Sequence, residues 1–235
     1  RPTIQAQSLA QYGGQRFLPS TLREEDGGQS DPPIIDLTMS AGYNGLAAYA
    51  FTVDKDFDLN TSEDRELYVQ FYDFASHSTY VPIRIAGSVT ETSEKYDAVA
   101  DEFTTVETVR QVDVGSPRLI RNGGNTYLFW REDGQTLKYL NISETLNTKV
   151  AAVANPGDEN ESDWTWAVKT DGTFATDAAT GRTYEPRIYK VDFGSLLTNE
   201  EIEITDYDVI TAVNGDQEDL YVVWTDAVVS NGVDQ

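Results

Sequence analysis

The residues best suited to chemistry lie in one acidic segment, which carries five oxygen-bearing side chains at Asp54, Asp56, Asp58, Asn60 and Asp64. Alternate residues of a curled loop can turn their oxygen atoms towards one point, and Ca²⁺ takes roughly six to eight oxygen ligands. Carboxylates this close together repel one another unless a cation neutralises them. The segment therefore predicts a calcium-binding loop, with a solvated acidic turn as the alternative.

The spacing of these acids resembles the first half of an EF-hand loop. The match is partial, because Leu59 stands where that loop has Gly and Arg65 stands where it has its final Glu. Asp64, backbone carbonyls and water would have to complete the coordination shell. A strand-like run follows the segment instead of a helix, so we expect a loop between two strands that holds calcium in a structural role.

Trp164 and Trp166 form a second candidate site, because residues two apart share one face of a strand. On an exposed rim the two rings could stack on the rings of a sugar. Buried, they would pack between neighbouring sheets, as large aromatic side chains usually do. Tyr184, Tyr189 and Tyr207 leave the same two alternatives open.

Several kinds of catalytic site are excluded by the composition, since the chain has one histidine, His77, and no cysteine. A thiolate zinc site, an iron–sulfur cluster and a cysteine nucleophile are therefore ruled out. A Ser–His–Asp hydrolase would depend on His77 alone, which lies in a predicted hairpin tip with no nucleophile elbow around it. A carboxylate pair could still hydrolyse a glycosidic bond, but 40 Asp and Glu give no basis for selecting one, and we predict no catalytic residue.

The charge balance restricts the partners of the protein. Against 40 acidic residues stand 17 Lys and Arg, which gives a formal net charge of −23 over 235 residues. Phosphate groups need clustered cations, so we expect no nucleic-acid partner and no docking on anionic lipid. No apolar run approaches about eighteen residues, so we expect no membrane insertion either.

The elements that must position these residues are strands, because the apolar pattern has a period of two rather than 3.6. Glycine pairs with Asn or Asp at 122–124, 133–134 and 214–215, which is typical of hairpin turns. One short helix is predicted at 193–201. The pattern indicates an all-β chain, whose clearest strands cover residues 66–72, 126–130, 137–142 and 220–224.

The strands recur as a weak internal repeat, with repeat starts near residues 34, 117 and 209. Aligning Phe51, Trp130 and Trp224 gives spacings of 79 and 94 residues, more than the roughly 40–50 residues of a compact propeller blade. Long insertions, or a degenerate blade at 164–191, would account for the difference. We interpret 34–235 as the repeat domain and 1–33 as the remainder of a preceding repeat or a closing strand.

The third copy ends before its last strands, which leaves two alternatives. Either residues 5–17 return to complete the last sheet and close a ring, or the chain is a piece of a longer repeat protein. The second alternative is favoured because the first thirty residues are rich in Gln, Gly, Ser and Pro.

A family resemblance agrees with this repeat. Residues 53–68, and residues 116–123 followed by 127–130, resemble repeats of large secreted bacterial surface proteins that are similar to sialidase-type β-propellers. The resemblance covers about 34–230 and implies a β-propeller-like architecture, incomplete or partial, with a β-sandwich as the alternative. The Ser-x-Asp-x-Gly-x-Thr-Trp turn of true sialidases is not present, so sialidase activity is not implied.

These expectations favour a non-catalytic extracellular module at a bacterial cell surface. Its role would be adhesion, glycan binding or structural spacing, with a carbohydrate or another surface protein as partner and calcium as a structural cofactor. Two alternatives stay open. One is a glycan-active enzyme that uses a carboxylate pair, and the other is an assembly subunit completed by a partner chain.

Overall fold

The computed structural model describes residues 34–40, 45–55, 64–87, 89–97, 102–146, 148–157, 160–169, 173–184, 186–193, 202–215 and 217–228. These residues form an all-β structure of antiparallel sheets with one single-turn α-helix, which confirms the predicted fold class. The proposed closing strand at 5–17, the segment 1–33 and the predicted helix after Phe193 lie outside the described residues. In the part of the chain that is described, no helix is long and apolar enough to cross a membrane.

The first sheet follows directly from the predicted strand 66–72 and the apolar run before it. Its strands are β1 (Ile34–Ser40), β2 (Leu46–Val53), β3 (Glu66–Asp73), β4 (Ser78–Thr79) and β5 (Ile83–Ala86). They are antiparallel in the order β1-β2-β3, and both β4 and β5 pair with β3. A separate hairpin of β6 (Val89–Asp97) and β7 (Glu102–Arg110) comes next.

The second sheet contains the predicted strands around Tyr127 and Tyr139. It consists of β8 (Val114–Asn122), β9 (Asn125–Glu132), β10 (Thr136–Asn141) and, after an excursion of the chain, β13 (Tyr189–Lys190). The predicted glycine turns join these strands, with Gly123 at φ 56° and Gly134 at φ 67°, a backbone region that suits glycine.

The excursion between β10 and β13 carries a short helix and a small sheet. The helix α1 (Ile142–Thr145) begins where strand was predicted to continue to residue 142, because the Asn141 side chain accepts a hydrogen bond from the backbone N–H of Glu144 and caps a helical turn. The small sheet pairs β11 (Lys149–Ala151) with β12 (Trp164–Trp166). A long hairpin of β14 (Ile202–Asn214) and β15 (Gln217–Val228) follows β13.

We call the predicted repeats that begin with β1, β8 and β14 the first, second and third units. Their first strands share a structural irregularity. Each first strand pairs with the second strand of its unit, and the register of that pairing shifts once. On the second strand the shift lies within one residue of the aligned aromatic residue, which is Phe51, Trp130 or Trp224. The shifts lie between Ile34 and Leu37 in β1, between Gly115 and Arg118 in β8, and between Ile204 and Asp206 in β14. Because a bulge bends and twists a strand locally, the three units bend at equivalent places.

The sheets pack in series, with the second sheet in the middle. Leu128 and Trp130 of β9 belong to the buried cluster shared with the first sheet. Phe129 faces the other way and packs with Tyr207 and Val209 of the β14–β15 hairpin. Successive side chains of β9 point to opposite faces of the second sheet, so this one strand contributes to the core on each face. In the same sheet, β8 contacts both β1 and β14.

Candidate functional site

The predicted acidic loop connects β2 to β3, and the structure describes its two ends. Asp54 directly follows β2 and is fully buried. Asp64 lies just before β3, and its Oδ2 accepts a hydrogen bond of 3.1 Å from the backbone N–H of Lys55. The two ends of the loop thus meet, and we call residues 54–55 and 64–66 the neck of the loop. Asp56, Asp58 and Asn60 lie outside the described residues.

The loop is an insertion when the first two units are compared. In the second unit the equivalent connection, from β9 to β10, spans only residues 133–135, and Asp133 and Gly134 have φ of 51° and 67°. In the first unit the connection spans residues 54–65. Hairpin connections usually need about two to five residues, so the fold does not require the acidic segment.

Cations of the chain neutralise the neck. Arg65 Nε lies 3.9 Å from Asp54 Oδ2. Glu66 Oε1 lies 2.9 Å from Arg84 Nε and 3.6 Å from Lys55 Nζ. Two carboxylates, those of Asp54 and Glu66, thereby face three cations, while Asp64 is bound by a backbone N–H.

Tyr68 completes the neck by donating a hydrogen bond of 2.5 Å from its hydroxyl to Glu66 Oε2. Burial, and then this hydrogen bond, raise the pKa of Tyr68 well above its ordinary value. Among the described residues, no group of three or more carboxylate or imidazole side chains is arranged to hold a metal ion. A cation in this loop would therefore need oxygen ligands from residues 56–63.

The two candidate tryptophans occupy β12 and are half-buried. Trp164 donates from its indole Nε1 to the carbonyl of Gly157 over 3.2 Å, and Lys149 Nζ lies 5.5 Å from the ring centre of Trp166. Both side chains are on the face of the small sheet opposite Val150, because Val150 pairs with Thr165. The structure thus places them together on one face, as their spacing predicts.

His77 lies exposed in the turn between β3 and β4, with a φ of 53°. Its Nδ1 is 3.3 Å from the hydroxyl of Tyr72. The aspartate near it, Asp73, accepts hydrogen bonds from Ser76 and from the backbone N–H of Ala75. This arrangement ties the turn together around the histidine.

A cavity of about 400 Å³ that the sequence did not predict opens on the Val150 face of the small sheet. Two guanidinium groups, two carboxylates and three hydroxyl groups line it. They belong to Arg182, Arg187, Glu144, Asp177, Thr180, Thr183 and Tyr184.

Tyr184 anchors one side of the cavity. Its hydroxyl donates a hydrogen bond of 2.8 Å to the backbone carbonyl of Glu144, and its ring packs on the buried side chains of Val150 and Ala175. Burial raises the pKa of Tyr184 to about 12. The ring is therefore held between the core and the cavity and stays protonated at neutral pH.

Asp177 organises the opposite side. Its Oδ1 accepts a hydrogen bond of 2.9 Å from the backbone N–H of Thr180, and this bond lowers the pKa of Asp177. Backbone bonds close the turn from Asp177 to Arg182, and the N–H of Ala178 ties it to Ala151 of β11. The turn that presents Arg182 is thus fixed to the small sheet.

The charge pattern of the sequence gives only a weak signal for this region. Residues 169–190 hold four cations, Lys169, Arg182, Arg187 and Lys190, against three acids. This net charge of +1 departs from the −23 of the whole chain but does not single the region out, because residues 110–131 hold four arginines against one acid. Period-two patterning does not detect the region either, because the stretch forms few strands.

Models of protein families, curated proteins and solved structures were each compared with the chain, and no match was found.

Proposed function

We propose that the chain is a non-catalytic, extracellular β-repeat module of a bacterial surface protein, with a calcium-binding loop in its first unit. The repeat units stack face to face in the manner of propeller blades. The module serves adhesion, glycan binding or structural spacing.

The recurrence of one structural unit carries this proposal. Three first strands with equivalent bulges each pair with a second strand, and β8 contacts both neighbouring first strands. Stacked repeats bury a continuous core between neighbours and offer extended surfaces for binding. The proposed propeller-like arrangement rests on the same packing, since neighbouring blades of a propeller meet face to face.

The insertion supports calcium at residues 54–64. In the second unit a three-residue turn is enough to pair the two strands. The longer acidic connection of the first unit is therefore not needed for strand pairing, and we infer that it has a binding role. The neck draws Asp54 and Asp64 to the same end of the loop, and the cations of the neck neutralise Asp54 and Glu66. The acids between them, Asp56 and Asp58, then give a calcium ion the charge it requires.

The enzyme alternative receives no specific support from the cavity. A glycosidase needs one carboxylic acid that holds its proton near neutral pH. Asp177 has a lowered pKa and accepts a backbone hydrogen bond, so it is an ionised group that caps a turn.

Thermal unfolding with calcium and with EGTA tests the calcium-binding role. At a calcium concentration about tenfold above the dissociation constant, binding adds about 1.4 kcal/mol to the stability. The double variant Asp56→Asn/Asp58→Asn should lose this calcium-dependent rise in Tm. The matched control Asp158→Asn/Glu159→Gln makes the same change of charge in another acidic segment of the sequence and should keep it. Equal midpoints with calcium and EGTA in the unaltered protein would refute the calcium loop.

A further inference from the structure

We propose that the cavity between the small sheet and the turn at Asp177–Arg182 binds a sugar that carries a carboxylate, of the hexuronic acid class. This inference rests on the proposed binding role of the module and names its ligand class and its site. It concerns a different surface from the acidic loop and from the two tryptophans.

The two arginines identify the anionic part of the ligand. A guanidinium group presents a planar fork of N–H donors that fits a carboxylate with two hydrogen bonds. The protein has only 17 cations and a net charge of −23, yet Arg182 and Arg187 line the same cavity. The negative charge of the chain repels anions, and these two guanidinium groups provide positive charge that can bind one.

The acids and hydroxyl groups identify the rest of the ligand. Glu144 and Asp177 line the same cavity and would repel a small anion that has nothing to donate. A hexuronic acid suits both the arginines and the acids of the cavity. Its carboxylate accepts hydrogen bonds from arginine, and its ring hydroxyls donate hydrogen bonds to carboxylates. Thr180 and Tyr184 add further polar groups around the ring.

The size and rigidity of the cavity agree with such a ligand. A volume of about 400 Å³ lies within the roughly 300–1,000 Å³ that is typical of small-molecule sites. The Tyr184 ring is fixed by Val150 and Ala175, and its hydroxyl is fixed by the Glu144 carbonyl. A pre-positioned aromatic ring lowers the ordering cost of binding and gives the apolar face of a sugar a surface to pack on.

Calorimetric titration of the whole chain with glucuronate and galacturonate tests the proposal. Glucose and galactose serve as the matched neutral sugars, and acetate and sulfate serve as simple anions. We expect at least one hexuronate to bind about tenfold more tightly than its neutral counterpart, which corresponds to about 1.4 kcal/mol. Neither simple anion should compete with it at the same concentration.

Variants locate the site. Arg182→Gln and Arg187→Gln should each weaken hexuronate binding by about fivefold or more, since each removes a charge-assisted contact. Arg121→Gln changes the same charge at an exposed residue outside the cavity lining and should leave binding unchanged. Melting curves confirm that each variant is folded.

Four results would overturn the proposal. They are an absence of hexuronate binding, equal affinity for hexuronate and neutral sugar, equal competition by acetate or sulfate, and hexuronate binding that survives in both cavity variants. A missing calcium effect on Tm, by contrast, refutes only the calcium loop, so the two proposals fail separately.

Discussion

Removing the carboxylate of Asp54 should destabilise the protein far more than removing an acid at the surface. Asp54 is fully buried, and its partner Arg65 is 19% exposed with its Nε 3.9 Å from Asp54 Oδ2. Asp54→Ala leaves the guanidinium group of Arg65 largely out of water without this opposite charge. We therefore expect the free energy of unfolding to fall.

The size of the effect follows from the distance and the burial. Two unit charges at this distance attract by about 4 kcal/mol at an effective dielectric constant of about 20. Breaking a buried pair by removing one partner typically costs about 3–5 kcal/mol, and partial exposure of Arg65 reduces this through solvent screening. We expect Asp54→Ala to cost about 2–3 kcal/mol.

A double-mutant cycle measures the interaction. Urea unfolding in EGTA of Asp54→Ala, Arg65→Met and the double variant should give a coupling energy of about 1.5–2 kcal/mol. EGTA removes any contribution from calcium in the neighbouring loop.

The pair Arg118–Asp208 is the control, because its Nε–Oδ1 distance is also 3.9 Å while its side chains are 41% and 66% exposed. Its coupling should stay below about 0.5 kcal/mol. Equal coupling in the two pairs would show that burial does not set the strength of the pair in the neck.

Three further predictions concern the core, a turn and the cavity. Trp130→Ala should lower the free energy of unfolding by about 4 kcal/mol in urea unfolding, because the residue is fully buried and its indole donates to Glu132. Gly134→Ala should cost about 1–3 kcal/mol by the same assay, because Gly134 has a φ of 67° and an added Cβ would lie 2.9 Å from the Glu203 side chain, whereas Gly157→Ala should be nearly neutral. Above pH 10, the Tyr184 hydroxyl is ionised in the unfolded chain but still protonated in the folded protein, where its pKa is about 12. Its contribution to stability is therefore complete below pH 10 and is lost as the pH rises towards 12, so the alkaline fall in Tm should be smaller in Tyr184→Phe.

Much of the strand content could be predicted because period-two patterning and glycine turns are local signals. The predicted strands at 126–130 and 220–224 lie within β9 and β15, and the predicted turn at Gly123 joins β8 to β9. The one-turn helix after Asn141 was missed because a single capping side chain decides it, while the apolar pattern continues unchanged.

The cavity could not be predicted, because its residues come from several separated segments. Glu144 belongs to α1, Val150 belongs to β11, and Asp177 to Arg187 lie in a segment held by side-chain caps and isolated backbone bonds. Only tertiary packing brings these segments together. The acidic loop is the opposite case, since its five candidate ligands all lie within residues 54–64, and its prediction as a calcium site stands as a proposal.

The weakness of the internal repeat has a physical explanation in the two complete units. Each unit buries one glutamate: Glu66 begins β3, the third strand of its unit, and Glu132 ends β9, the second strand of its unit. An aromatic group donates to each, Tyr68 to Glu66 and the Trp130 indole to Glu132, and each also contacts a cation.

The two glutamates occupy opposite members of the cross-strand pair, since Glu66 faces Val53 and Glu132 faces Thr136. A buried carboxylate needs an opposite charge and hydrogen-bond donors, but directly paired strands can supply it from either side. The glutamate can therefore lie on either strand of the pair and still meet an aromatic donor and a cation. Aligned letter by letter, the repeats look unrelated at these positions, although the environment that they build is the same.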